Sequence, residues 1–69
     1  MSVFSERLQE LRERRNIMQK DAAAFFTVPL RTYQRYEHGE IDPKLSIAVR
    51  IADFYGVSLD YLAGRTDTP

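Results

Sequence analysis

Residues 19–39, QKDAAAFFTVPLRTYQRYEHG, constrain the fold of this chain more than any other stretch. Ala22, Ala23 and Phe26 recur at i, i+1 and i+4, the spacing of one helical face, and predict a helix over about 19–26. Thr27 and Val28 break that pattern. Pro29 then opens a second helix, since its fixed φ suits a first turn and its missing N–H costs nothing there, and Gly39 supplies the stop. The rest of the chain has to hold this pair in place.

Along the second helix, Tyr33, Tyr36 and Glu37 fall at i, i+3 and i+4 and predict a packed face. Leu30, Arg31, Gln34 and Arg35 fall on an outward one. Guanidiniums and an amide on one exposed face match base edges in a DNA major groove, where Arg forks to guanine and Gln to adenine. The pair therefore reads as a helix-turn-helix, with Leu30, Arg31, Gln34 and Arg35 as base-reading residues. Upstream, Met18 stands where a Ser or Thr cap is expected, which leaves the first N–H groups of the 19–26 helix for water or an anion. Gln19 and Lys20 stand beside them, and a DNA phosphate fits that role.

A chain of 69 residues makes one domain, burying only about 60% of its unfolded surface. It has no cysteine and a single histidine, His38, so neither a metal nor a cofactor is expected. No apolar run approaches the roughly 18 residues of a membrane span, and residues 1–5 lack the features of a signal peptide. The expectation is a soluble, cytoplasmic protein that touches no membrane. A formal net charge of zero counts weakly against nucleic acid, but its distribution softens that objection. Residues 1–35 carry seven Lys or Arg against four Asp or Glu, and residues 36–69 three against six, giving halves of +3 and −3. The positive half holds the proposed reading helix.

Flanking segments supply three further helices. Ser2 is a good N-cap, and Phe4, Leu8, Leu11 and Arg15 predict a helix over 3–15 that Asn16 ends, with Ile17 as a core plug. Phe25 lies off the stripe of its helix and either tucks under the first helix or faces a partner. Asp42-Pro43 reads as an N-cap and first-turn proline before an apolar face of Leu45, Ala48, Ile51, Ala52 and Tyr55, which Gly56 stops. Ile47, Val49 and Phe54 fall elsewhere on that helix. Ser58 caps a short fifth helix ending at Gly64, in which Leu59 and Leu62 are predicted to face the core. Tyr61 then turns outward and joins Phe54 in an apolar patch suited to a homodimer interface. Residues 1–65 form the expected domain and 66–69 a flexible tail.

From Phe4 to Arg65 the chain resembles the single-domain DNA-binding module of the phage repressor and Cro superfamily, the xenobiotic-response-element family of bacterial regulators. The segments LQELRERRNIMQKDAAAFF, YEHG and YGVSLDYLAG carry the resemblance, and their order and spacing are more specific than any one of them. The family implies an all-α fold, a compact five-helix, lambda-repressor-like bundle with its recognition helix, here about 29–37, in the major groove. It also implies a homodimer on a palindromic operator. By position, the resemblance makes Gln19 a phosphate clamp and Leu30, Arg31 and Arg35 base readers, flanked by Thr32 and Gln34. It pairs Glu37 with Arg12 and puts His38 near the DNA backbone. The chain departs from the family in two places. Thr27 replaces the usual turn glycine, demanding a positive φ of a β-branched residue, and Pro29-Leu30 replaces the usual polar start of the recognition helix. Leu30 is expected to touch a thymine methyl instead.

The expected function is sequence-specific binding of double-stranded DNA as a bacterial or phage transcriptional regulator, a repressor acting as a homodimer. The alternative is an antitoxin or other protein-interaction module, anchored on a partner through Phe25, Phe54 and Tyr61, with DNA binding secondary. An enzyme is not expected, because catalysis needs converging titratable groups in a pocket that a small bundle with one histidine and no cysteine has little room to build.

Overall fold

The computed structural model describes residues 2–69, and among them it has five helices and no strand: α1 (Val3–Arg14), α2 (Gln19–Phe25), α3 (Leu30–Glu37), α4 (Leu45–Tyr55) and α5 (Leu59–Ala63). The α1 start is fixed by a reciprocal cap. Ser2 Oγ accepts from the Ser5 N–H at 3.1 Å, and the Ser2 N–H donates to Ser5 Oγ at 2.8 Å, so two otherwise orphaned donors are satisfied. Ser5 is fully buried for that reason.

Leu8, Ala22, Ala23, Phe26, Tyr33, Tyr36, Ile47, Ile51, Ala52, Tyr55 and Leu62 form one core. The small Ala22 and Ala23 let α2 approach closely, and Phe26 fills the centre. Its ring lies 5.4 Å from Phe54 edge-on, 6.0 Å from Tyr55 and 6.2 Å from Tyr33. Such aromatic pairs contribute roughly 0.5–1.5 kcal/mol each beyond the area they bury.

Thr27 does take the left-handed conformation, at φ 58°, and Asn16 does so at φ 55°. For asparagine this is easy; for a β-branched residue it costs roughly 1–2 kcal/mol. The turn is imposed because the Val28 N–H must reach back to the Ala23 carbonyl at 3.0 Å to end α2 and aim α3.

Several expectations need correction. Pro29 is the N-cap of α3 rather than its first helical residue, with ψ 146° and its carbonyl accepting from the Tyr33 N–H at 3.0 Å. Asp42-Pro43 lies in the irregular connection, and Lys44 is the N-cap of α4, without a side-chain bond. The buried stripe of α4 is Ile47, Ile51 and Tyr55 with Ala52, so Leu45, roughly 120° around the helix from Ile51, is 71% exposed. On α5 the expected order is also reversed: Tyr61 is 8% exposed and Leu59 38%. The cause is Arg7 of α1, whose guanidinium stacks 4.1 Å above the Tyr61 ring and donates to the carbonyls of Tyr61 and, at 2.7 Å, Thr66. The same group meets the Asp67 carboxylate at 2.8 Å, and the Ser58 N–H donates to the Pro69 carbonyl at 3.0 Å. Residues 66–69, expected to be a free tail, thus fold back on the bundle.

Candidate nucleic-acid interface

Helix α3 sorts its side chains as the 3.6-residue period requires. Tyr33, Tyr36 and Glu37 are buried, while Leu30, Arg31, Arg35 and the C-cap residue His38 are exposed. Lys20 on α2 is exposed as well, and Thr32 is half-buried. Arg35 is held by Glu40, Nε to Oε2 at 3.2 Å, with both side chains about half exposed. An ion pair of that exposure is worth about 0–1 kcal/mol and gives way easily to a stronger anion.

Gln34 differs from the other candidate readers. Four residues after Leu30 and three before Glu37, it sits on the boundary between the two faces and is half-buried. Its Nε2 donates to Gln19 Oε1 at 3.2 Å, and Gln19 Nε2 in turn donates to Glu37 Oε1 at 3.1 Å. Glu37 is clamped from the other side by Arg12, through Nε to Oε2 at 2.6 Å and Nη2 to Oε1 at 3.1 Å, while Arg12 Nη1 donates to the Ile17 carbonyl at 2.9 Å. One polar chain, Arg12–Glu37–Gln19–Gln34, therefore ties α1, α2 and α3 together. The link between Gln19 and Gln34 was not legible in the spacing of α3, because it depends on how close α2 approaches.

Burial by itself would raise the Glu37 carboxyl, but the hydrogen bonds from Arg12 and Gln19 outweigh it and hold the group below its ordinary range. The hydrogen bond to Glu37 likewise holds Arg12 above its own. Tyr33 lies within electrostatic reach of the same carboxylate, yet its hydroxyl is buried without a hydrogen-bond partner. Desolvation pushes that phenol well up, and it also raises the equally unpartnered one of Tyr55. At the N-terminus of α2, Met18 is the N-cap and provides no side-chain bond.

Sequence reasoning missed other contacts too. Arg50 of α4 donates to Thr27 Oγ1 at 3.2 Å beside the turn. Phe25 is 55% exposed and does not tuck under α1; it stacks on Phe54 with ring centroids 4.9 Å apart, so Phe54 is half-covered from within the chain. The Arg15 guanidinium lies over the Phe54 ring, 5.4 Å from its centroid.

With the turn, the buried face and the polar chain in view, the comparison with known proteins is unambiguous about family. A helix-turn-helix family model matches residues 8–62, and the chain belongs to that family, among its phage-repressor-like regulators. It is 35% identical over 66 residues to the cryptic phage CTXphi transcriptional repressor RstR of Vibrio cholerae, covering 96% of this chain and 60% of that protein. It is 32% identical over 64 residues to the SPbeta prophage-derived uncharacterized HTH-type transcriptional regulator YonR of Bacillus subtilis, covering 93% and 59%. To the HTH-type transcriptional regulator ImmR of the same organism it is 31% identical over 64 residues, covering 93% and 50%. The chain thus spans between half and three fifths of the length of these relatives. No helix among the described residues is long and apolar enough to cross a membrane.

Proposed function

We propose that this chain is the operator-reading domain of a cytoplasmic transcriptional repressor, which binds double-stranded DNA as a homodimer with α3 in the major groove. The observation that carries the reading is the sorting of α3: three side chains of reading chemistry, Leu30, Arg31 and Arg35, are exposed together on a helix whose opposite face is locked by a buried ion pair. Arg31 and Arg35 fork to guanine, and Leu30 meets a thymine methyl. Gln19 and Lys20 contact a backbone phosphate, with Thr32 and His38 flanking. A neutral domain needs two half-sites for useful affinity, which supports a symmetric pair on a palindromic operator.

Tyr61 is too deeply covered to form the dimer contact. The exposed apolar groups at that end are Val3, Leu45 and Leu59, along a groove of about 510 Å³ between α1, α4 and α5, and a second copy covers them.

The decisive experiment is selection of operator duplexes from a random pool, followed by titration of Arg35→Ala. The variant should bind the selected site about 1–3 kcal/mol more weakly and lose one base preference. Wild-type affinity and preference in the variant would remove α3 from the reading role. For the pairing, Leu59→Asp should shift sedimentation equilibrium toward monomer; a wild type that is already monomeric at high micromolar concentration rules the homodimer out.

A further inference from the structure

The polar chain has a direction, and the direction is dictated by charge. An ionised carboxylate only accepts hydrogen bonds, so Glu37, already clamped by Arg12, forces Gln19 to turn its amide NH2 inward. Gln19 Oε1 is then the atom left to meet Gln34, and Gln34 must answer with its own NH2, as it does at 3.2 Å. Reversing either amide sets oxygen against oxygen. The whole row is therefore ordered by one buried charge three residues further along α3.

This ordering changes what Gln34 can do. It is half-buried, on the border of the outward face, and one of its N–H groups is already spent on Gln19. Gln19, held at both ends of its amide, keeps one further N–H, which the two protein partners do not use. A group with only a donor to spare suits a phosphate oxygen and carries no sequence information.

We infer that Gln34 is a positioning residue for Gln19 and not a reader of bases: with Glu37 it fixes the Gln19 amide so that a free N–H meets the DNA backbone. This rests on the operator-reading function proposed above, and it reassigns one of the four candidate readers to sequence-independent binding.

Two measurements test it. In the free protein, the side-chain NH2 signals of Gln19 report its hydrogen bonds by NMR without any DNA. Gln34→Met, which keeps the reach and removes the donor, should move those signals toward exposed amide values while the backbone spectrum stays folded. Unmoved Gln19 signals overturn the proposal, whatever the protein binds.

The second measurement titrates wild type, Gln34→Met, Gln19→Met and the double variant against the selected duplex, its single-base-pair variants and an unrelated duplex. Gln34→Met should lose roughly three- to tenfold in affinity on every duplex alike, the size of one hydrogen bond, with base preferences unchanged. In the Gln19→Met background it should lose nothing more. A relaxed preference at one base pair, additive losses, or unchanged affinity would each overturn it. If Gln34→Met does not fold, Gln34→Ala is read by the same criteria. If selection yields no preferred duplex while the NMR shift occurs, the operator-reading function fails and the link between the two amides stands.

Discussion

The two ends of α1 are anchored by different chemistry. Near its C-terminal end Arg12 enters a partly buried row of charge and amide, in which Glu37 is clamped by Arg12 and Gln19, and Gln19 is held in turn by Gln34. At the N-terminal end Val3 and Phe4 border an open apolar groove with Leu62, while Arg7 lies across Tyr61 at the surface. The polar end fixes orientation, and the loss of either charge there leaves the other uncompensated. The apolar end holds by area and shape, so a lost or shifted side chain there is felt in proportion to its size. Helix α3 is tied to the first kind of anchor, which suits the reading role proposed for it.

The sharpest way to break this contrast is at Arg12 and Glu37. Removing one partner leaves a nearly dry charge uncompensated, so Arg12→Met or Glu37→Leu should each cost about 3–5 kcal/mol in unfolding free energy. The double variant should cost less than either single one, and thermal unfolding of the four proteins gives the coupling. Additive losses would mean that the pair is not one unit. The same pair sets an acid limit. Because the folded Glu37 carboxyl sits below its ordinary value of 4.5, its stabilisation is fully present above that value. It is lost as pH falls through the lower, folded value. Melting temperature should therefore drop on acidification below about 4.5, and Glu37→Gln should flatten that limb. An unchanged acid limb in Glu37→Gln would assign it to other carboxylates.

The sequence made the helices of the polar end legible because their signals are local. Tyr33, Tyr36 and Glu37 share a face by simple period, and Thr27 stood out as the wrong residue for its turn. What failed was decided across the chain. Leu59 and Tyr61 are two residues apart on a five-residue helix, too short for period to choose between them, and Arg7, 54 positions away from Tyr61, made the choice. Leu45 shares a face by period with Ala48 and Ala52, but the buried stripe of α4 is centred on Ile47, Ile51 and Tyr55, and Leu45 lies about a third of a turn from Ile51. Period alone puts Gln34 on the outward face, and the partner that draws it inward belongs to α2.

A smaller effect probes the apolar end. Gly64 and Gly56 both close helices with positive φ, 81° and 66°, so alanine at either is strained by roughly 1 kcal/mol. They differ in surroundings. A Cβ at Gly56 meets nothing within 4 Å, whereas at Gly64 it would stand 3.0 Å from Val3 Cγ1 and 3.1 Å from Val3 Cβ. Gly64→Ala should therefore lower the melting temperature more than Gly56→Ala, and Val3→Ala should recover part of the difference. Equal losses at the two glycines would show that the α1–α5 contact yields freely.

The smallest effect lies at the turn between α2 and α3, where the polar end carries the one strain visible in its backbone. Thr27 sits at φ 58° with a branched Cβ, at a cost of roughly 1–2 kcal/mol that its 3.2 Å hydrogen bond from Arg50, made at the surface, does not offset. Asparagine adopts this conformation readily and keeps an oxygen for Arg50, so Thr27→Asn should stabilise the fold by up to about 1 kcal/mol. Glycine removes the strain too, but it frees the unfolded chain by roughly 0.5–1 kcal/mol and gives up the acceptor, so Thr27→Gly should gain less. The order expected in thermal unfolding is Asn above Gly, with Thr lowest. Should both variants melt at or below the wild-type temperature, Thr27 is contributing packing or hydrogen bonding that exceeds its backbone strain, and the turn is held from the α4 side through Arg50.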